Sequence, residues 1–134
     1  MLESATFLIK RNEMTDPRRK AIAYIAGTYL SNTVPSAVFD YQSTTFTYMS
    51  GTVGSRNISV YDFDRNCHIG GNLADNKFSL YDFGDHCHLN IEFTKDGKFN
   101  GYDFGSHSHF SGTVTNKSIN IFDFQMSRHF NYSV

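Results

Sequence analysis

The chain has 134 residues, 40% of them hydrophobic and 19% charged, which suits one globular domain with a core of its own and argues against wholesale disorder. A formal net charge of −1 leaves no excess of Lys and Arg to attract nucleic acid or an anionic membrane, so neither is expected as a partner. No stretch approaches the ~18 apolar residues of a membrane span, and "ATFLI" ahead of Lys10 and Arg11 is too short for the apolar part of a signal peptide.

In chain order, residues 4–10, "SATFLIK", read as an isolated strand or an ordered arm. A helix follows. Asp16 can cap it and Pro17 fits its first turn, while Ile22, Ile25, Ala26, Tyr29 and Leu30 fall at the spacing of one apolar helix face. Pro35 blocks any continuation. Arg18, Arg19 and Lys20, the only basic cluster, oppose the helix dipole and hint at an anionic contact, although a solvated helix face is the ordinary reading of such a run.

From residue 36 onward the chain repeats itself. The triplets Phe39-Asp40-Tyr41, Tyr61-Asp62-Phe63, Tyr81-Asp82-Phe83, Tyr102-Asp103-Phe104 and Phe122-Asp123-Phe124 recur with aspartate spacings of 22, 20, 21 and 20. Six residues after the aspartate stands His68, His88, His109 or His129 in the last four copies, and Phe46 in the first. Each copy holds two apolar segments joined by polar connectors such as "TKDGK", rich in turn residues. The second segment alternates cleanly, with Leu89, Ile91 and Phe93 on one side and His88, Asn90 and Glu92 on the other. The expected organisation is an N-terminal arm and amphipathic capping helix over residues 1–35, then a five-copy β-repeat over residues 36–134.

Two architectures share this period, a parallel β-solenoid with one copy per coil and an antiparallel meander or barrel with one hairpin per copy. In "FSLYDF", a straight strand puts Phe78, Leu80 and Asp82 on one face, which buries the repeated aspartates and leaves the aromatics outside. Both outcomes are costly. A corner at each aspartate avoids them, so a β-solenoid of about five coils capped by the helix is the favoured fold, with the antiparallel meander or barrel as the alternative. Stacked Phe and Tyr would then explain the 13 Phe and 8 Tyr. The last coil would end on an unpaired edge, which predicts self-association or a return of residues 1–10 over that end.

The run His86-Cys87-His88, with His107 and His109 one copy later, supplies candidate metal ligands, and Cys87 with His107 is the best-placed candidate for a thiol nucleophile and its base. The weight lies elsewhere, because Asp40, Asp62, Asp82, Asp103 and Asp123, with His68, His88, His109 and His129, recur as structural positions of the repeat. Asp82, His86, His88, His107 and His109 form a ligand site, for a sugar or a metal, only if they line an exposed groove. Cys67 and Cys87 are too few for a disulfide framework, and no phosphate loop, zinc-protease motif or hydrolase elbow is present. The expectation is a cytoplasmic, non-enzymatic structural or interaction protein without a cofactor, working as a homo-oligomer or with a protein partner.

Overall fold

A computed structural model describes residues 13–134. These residues form one helix, α1 (Asp16–Ser31), and ten strands: β1 (Ala37–Asp40), β2 (Thr45–Val53), β3 (Asn57–Asp62), β4 (Cys67–Ala74), β5 (Lys77–Asp82), β6 (Cys87–Phe93), β7 (Lys98–Asp103), β8 (Ser108–Thr115), β9 (Ser118–Asp123) and β10 (Arg128–Ser133). Every strand pairs antiparallel with its sequence neighbour, and β1 closes against β10, so the sheet is a complete up-and-down barrel. The β-solenoid expectation is therefore wrong, and the barrel alternative describes the fold. The unpaired C-terminal edge disappears with it. The return of residues 1–10, like the strand or arm over 4–10, lies outside the described residues.

The straight-strand arrangement that looked too costly is the one adopted. Phe78, Leu80 and Asp82 of β5 are buried inside the barrel, while Ser79 and Phe83 are exposed outside and Tyr81 lies half-buried between them. The same inward and outward division recurs in β3, β7 and β9. No corner forms at the aspartate. Instead a four-residue turn follows it, and its last residue, Thr44, Asn66, His86, His107 or Ser127, takes the left-handed conformation with φ between 52° and 56°.

The helix is not a cap on the end of the sheet. Residues from Ala21 to Ala26 are all 0–1% exposed, so every side of this helical segment is covered: α1 runs inside the barrel. Eight strands already enclose room for side chains alone; ten leave space for a helix. Thr15, rather than Asp16, is the N-cap, its hydroxyl accepting the Arg18 N–H, and the helix ends at Asn32 in the left-handed conformation. At Gly27 the helix leaves no room for a side chain against the wall, since a Cβ would stand 2.9 Å from both Ile119 and Val134. Toward the opposite mouth, Tyr29 stacks on Phe93 at 3.9 Å, with Phe78 edge-on to both rings.

Candidate functional site

The odd-numbered strands all end on a repeat aspartate, so Asp40, Asp62, Asp82, Asp103 and Asp123 form a buried ring just inside one mouth. Four of them fasten the turn that follows: one carboxylate oxygen accepts the backbone N–H groups two and three residues on, as Asp82 does from Gly84 at 2.9 Å and Asp85 at 3.2 Å. Asp103 instead accepts from Ser106, through its N–H at 3.1 Å and its hydroxyl at 2.7 Å. The repeated carboxylates are hairpin fasteners.

Their charge is balanced from two directions. The first turn of α1 enters at this mouth, and Arg18 donates Nε and Nη2 to the two oxygens of Asp103, each at 2.9 Å, while its Nη1 reaches Asp85 at 2.6 Å. Arg19 lies 3.3 Å from Asp123 and 3.7 Å over the Phe130 ring, and Lys20 Nζ stands 4.0 Å from Asp40. Arg65, in the turn after β3, bridges Asp62 at 2.8 Å and Asp82 at 3.0 Å. Burial alone would lower the Arg18 guanidinium, but its hydrogen bonds and attraction to Asp103 more than offset that and leave it raised. The basic cluster is thus no solvated face: Arg18 and Arg19 are 3% and 1% exposed, and the anionic contact is internal.

Outside the barrel, level with this ring, runs a belt of aromatic and imidazole side chains. Tyr61 meets Phe63 at 5.0 Å and His68 at 4.8 Å, both edge-on. The arrangement recurs as Tyr81 with Phe83 and His88, Tyr102 with Phe104 and His109, Phe122 with Phe124 and His129, and Phe39 with Tyr41 and Phe46. Backbone bonds join one cluster to the next, because the N–H of Phe83, Phe104 and Phe124 donates to the carbonyl of His68, His88 and His109 respectively. Tyr41, Phe63, Phe83, Phe104 and Phe124 remain 48–56% exposed, so the belt is a surface and not a second core.

The sequence-derived candidates separate between these two zones. Asp82 belongs to the inner ring, whereas His88 and His109 belong to the outer belt. His86 and His107 do not share a strand face with them, since both lie exposed in turns with φ of 55° and 56°. Among the described residues, no group of three or more His, Cys, Asp or Glu is placed to hold a metal ion. Cys87 pairs with Asp82 in register and sits beside Gly105, on the inner side. Burial pushes its thiol up to about 11, against the pull of Arg18, and the neighbouring carboxylates add to the rise; this is the reverse of an activated nucleophile.

No family model, no curated protein and no solved structure matches this chain.

Sequence reasoning missed the position three after each aspartate. It holds Arg65, Asp85, Ser106 and Met126 in copies two to five, and these side chains bond or contact the mouth residues: Arg65 with Asp82, Asp85 with Arg18, Ser106 with Asp103, Met126 with Arg19. Because this position varies, a search for recurring residues passes over it. Charge balance was the available signal, five recurring aspartates set against three adjacent cations in the helix.

Proposed function

We propose that this is a non-enzymatic interaction module that self-associates through its aromatic belt. The observation that carries the reading is the division of the repeat into two faces. Its recurring aspartates are committed inside to ion pairs and turn amides, while its exposed recurring feature is a band of Phe, Tyr and His around one rim. A contiguous aromatic band of this kind exceeds the scattered apolar residues normal on a monomer and is self-complementary between copies. Beyond the belt, the outward positions are Ser59, Gly70, Ser79, Asn90, Asn100, Ser111, Asn120 and Asn131. A lipid-facing barrel wall carries apolar residues there, so this surface supports an aqueous setting. Two unpaired thiols are in keeping with the cytoplasm.

Sedimentation velocity over a wide concentration series tests the reading. The wild type should gain mass with concentration, and a variant carrying Phe63→Ser, Phe83→Ser, Phe104→Ser and Phe124→Ser should stay monomeric with its fold intact by circular dichroism. A wild type that is monomeric throughout removes self-association.

A further inference from the structure

We propose that the cleft over Gly70, on the outer wall, binds a neutral glycan. The cleft encloses about 720 Å³ between β3, β4 and the turn after β5. Its floor is the bare backbone of Gly70 and Gly71, its sides carry Asn57, Ser59, Asn66 and Asn72, and His68 and Phe83 stand at its belt end. Gly70 is required here, because a Cβ would collide with the Ile58 carbonyl of the adjoining strand. The register places Gly70 between Ser59 and Tyr81 in an outward row where the later copies carry Asn90, Ser111 and Asn131. Smaller clefts of about 340 Å³ over Ser111 and Gly112 and about 430 Å³ beside Asn131 occupy the later copies, but the cleft over Gly70, where the row has no side chain, is the largest of the three.

Three features of the lining select the ligand. No Asp, Glu, Lys or Arg contributes to it, so there is no charge to match an anionic or cationic ligand. Among the described residues, the side-chain amides of Asn57, Asn66 and Asn72 make no hydrogen bond, whereas those of Asn90, Asn120 and Asn131 are committed. Asn90 accepts the Tyr102 N–H at 3.1 Å, and Asn120 bonds both Asn131 and His129, at 2.8 and 2.9 Å. An apolar ligand would leave the three cleft amides unused; a polyol satisfies them, each amide offering both a donor and an acceptor. Phe83 supplies a ring for the C–H face of a sugar, and His68 is held in orientation by its edge-on contact with Tyr61. The combination of uncommitted amides, a hydroxyl, one imidazole and one aromatic ring around an uncharged hollow fits a hexose chain.

The test is an NMR titration of the full chain, run where sedimentation shows it monomeric, because Phe83 and His68 also belong to the belt. The probes are neutral hexasaccharides: α- and β-linked glucans, mannan, galactan and chitin fragments, with a polygalacturonate hexamer as the anionic comparison. At least one neutral probe should shift the backbone signals of Ser59, His68, Gly70 and Asn72 saturably, leaving Asn120 and Asn131 unmoved. Phe83→Ala and Asn72→Ala should each weaken that binding about fivefold or more at unchanged thermal stability. The inference is overturned if no neutral probe produces saturable shifts, if the shifts lie elsewhere on the barrel, if both variants bind as wild type does, or if the anionic hexamer binds more tightly. It stands apart from self-association: a monomer that binds a glycan keeps the cleft and loses the assembly, and an assembling protein that binds none does the reverse.

Discussion

Arg18 shows how one side chain joins the two parts of this protein. Its guanidinium leaves the helix, spans Asp103 with both arms and reaches Asp85, at 3% exposure. Replacing it with Met strands the fully buried Asp103, and removing one partner of such a pair costs roughly 3–5 kcal/mol. Denaturant unfolding should show that loss for Arg18→Met, and a much smaller further loss when Asp103→Asn is added, because the two residues act as a unit. Cys87 gives a second prediction. With its folded value raised to about 11, the thiol is held neutral; its contribution to stability is complete below the free-thiol value and is lost as pH rises through about 11. Tyr132, raised by burial, acts in the same direction. Unfolding free energy should therefore fall from about pH 9 upward, less steeply in Cys87→Ser, and iodoacetamide should label Cys87 at neutral pH far more slowly than a free cysteine. At this scale the sequence disclosed the recurring aspartates but not their partners, since Arg18 and Asp103 stand 85 positions apart and only the fold brings them together.

At the scale of the element, α1 was legible as a helix and misleading as to its place. Its apolar residues Ile22, Ile25, Ala26, Tyr29 and Leu30 mark one face, which reads as a surface helix lying on a sheet. What that pattern weighs too lightly is the rest of the circumference: Ala21, Ala23 and Gly27 are small, and small residues on the remaining faces are what let strands close around a helix. Gly27→Val is the test. Exposed in a helix, it would be close to neutral or mildly stabilising; here the added carbons meet Ile119 and Val134, and unfolding should show a loss of about 1–3 kcal/mol. The strands were easier. Alternation in Leu89, Ile91 and Phe93 reports a wall with one covered face, and it holds for a barrel as well as for a solenoid coil.

For the whole molecule, that shared alternation is why the fold was misread. A period of 20 to 22 residues counts two strands and two turns whichever way the strands run. The deciding quantity was the cost of burying five aspartates, and that cost is lowered by turn N–H groups, by Arg65 at Asp62 and Asp82, and by the internal helix, whose cations reach Asp40, Asp103 and Asp123, a relation between segments that no local pattern expresses. The candidate site was legible in part: the histidines six after each aspartate were found, yet their aromatic partners were assigned to the interior. Closure itself rests on little. Phe39 pairs with Ser133 and Asp40 with Tyr132, the Tyr41 N–H donates to the Asn131 carbonyl at 3.1 Å, and the Gln42 side chain completes the seam, its amide bonding both the N–H and the carbonyl of Asn131. Gln42→Ala should cost about 1 kcal/mol and should speed hydrogen exchange at Asn131 well beyond that at Asn90, which sits in a continuous part of the wall.

That seam also orders events in time. Neighbouring strands meet as hairpins, each able to form soon after its residues are synthesised, but the first strand waits for the last. Until β9 and β10 leave the ribosome, Arg19 has no Asp123 and the helix has no complete wall around it. The first of the described elements to be translated is thus enclosed latest, and a nascent chain stalled before residue 118 would hold its future core in the open.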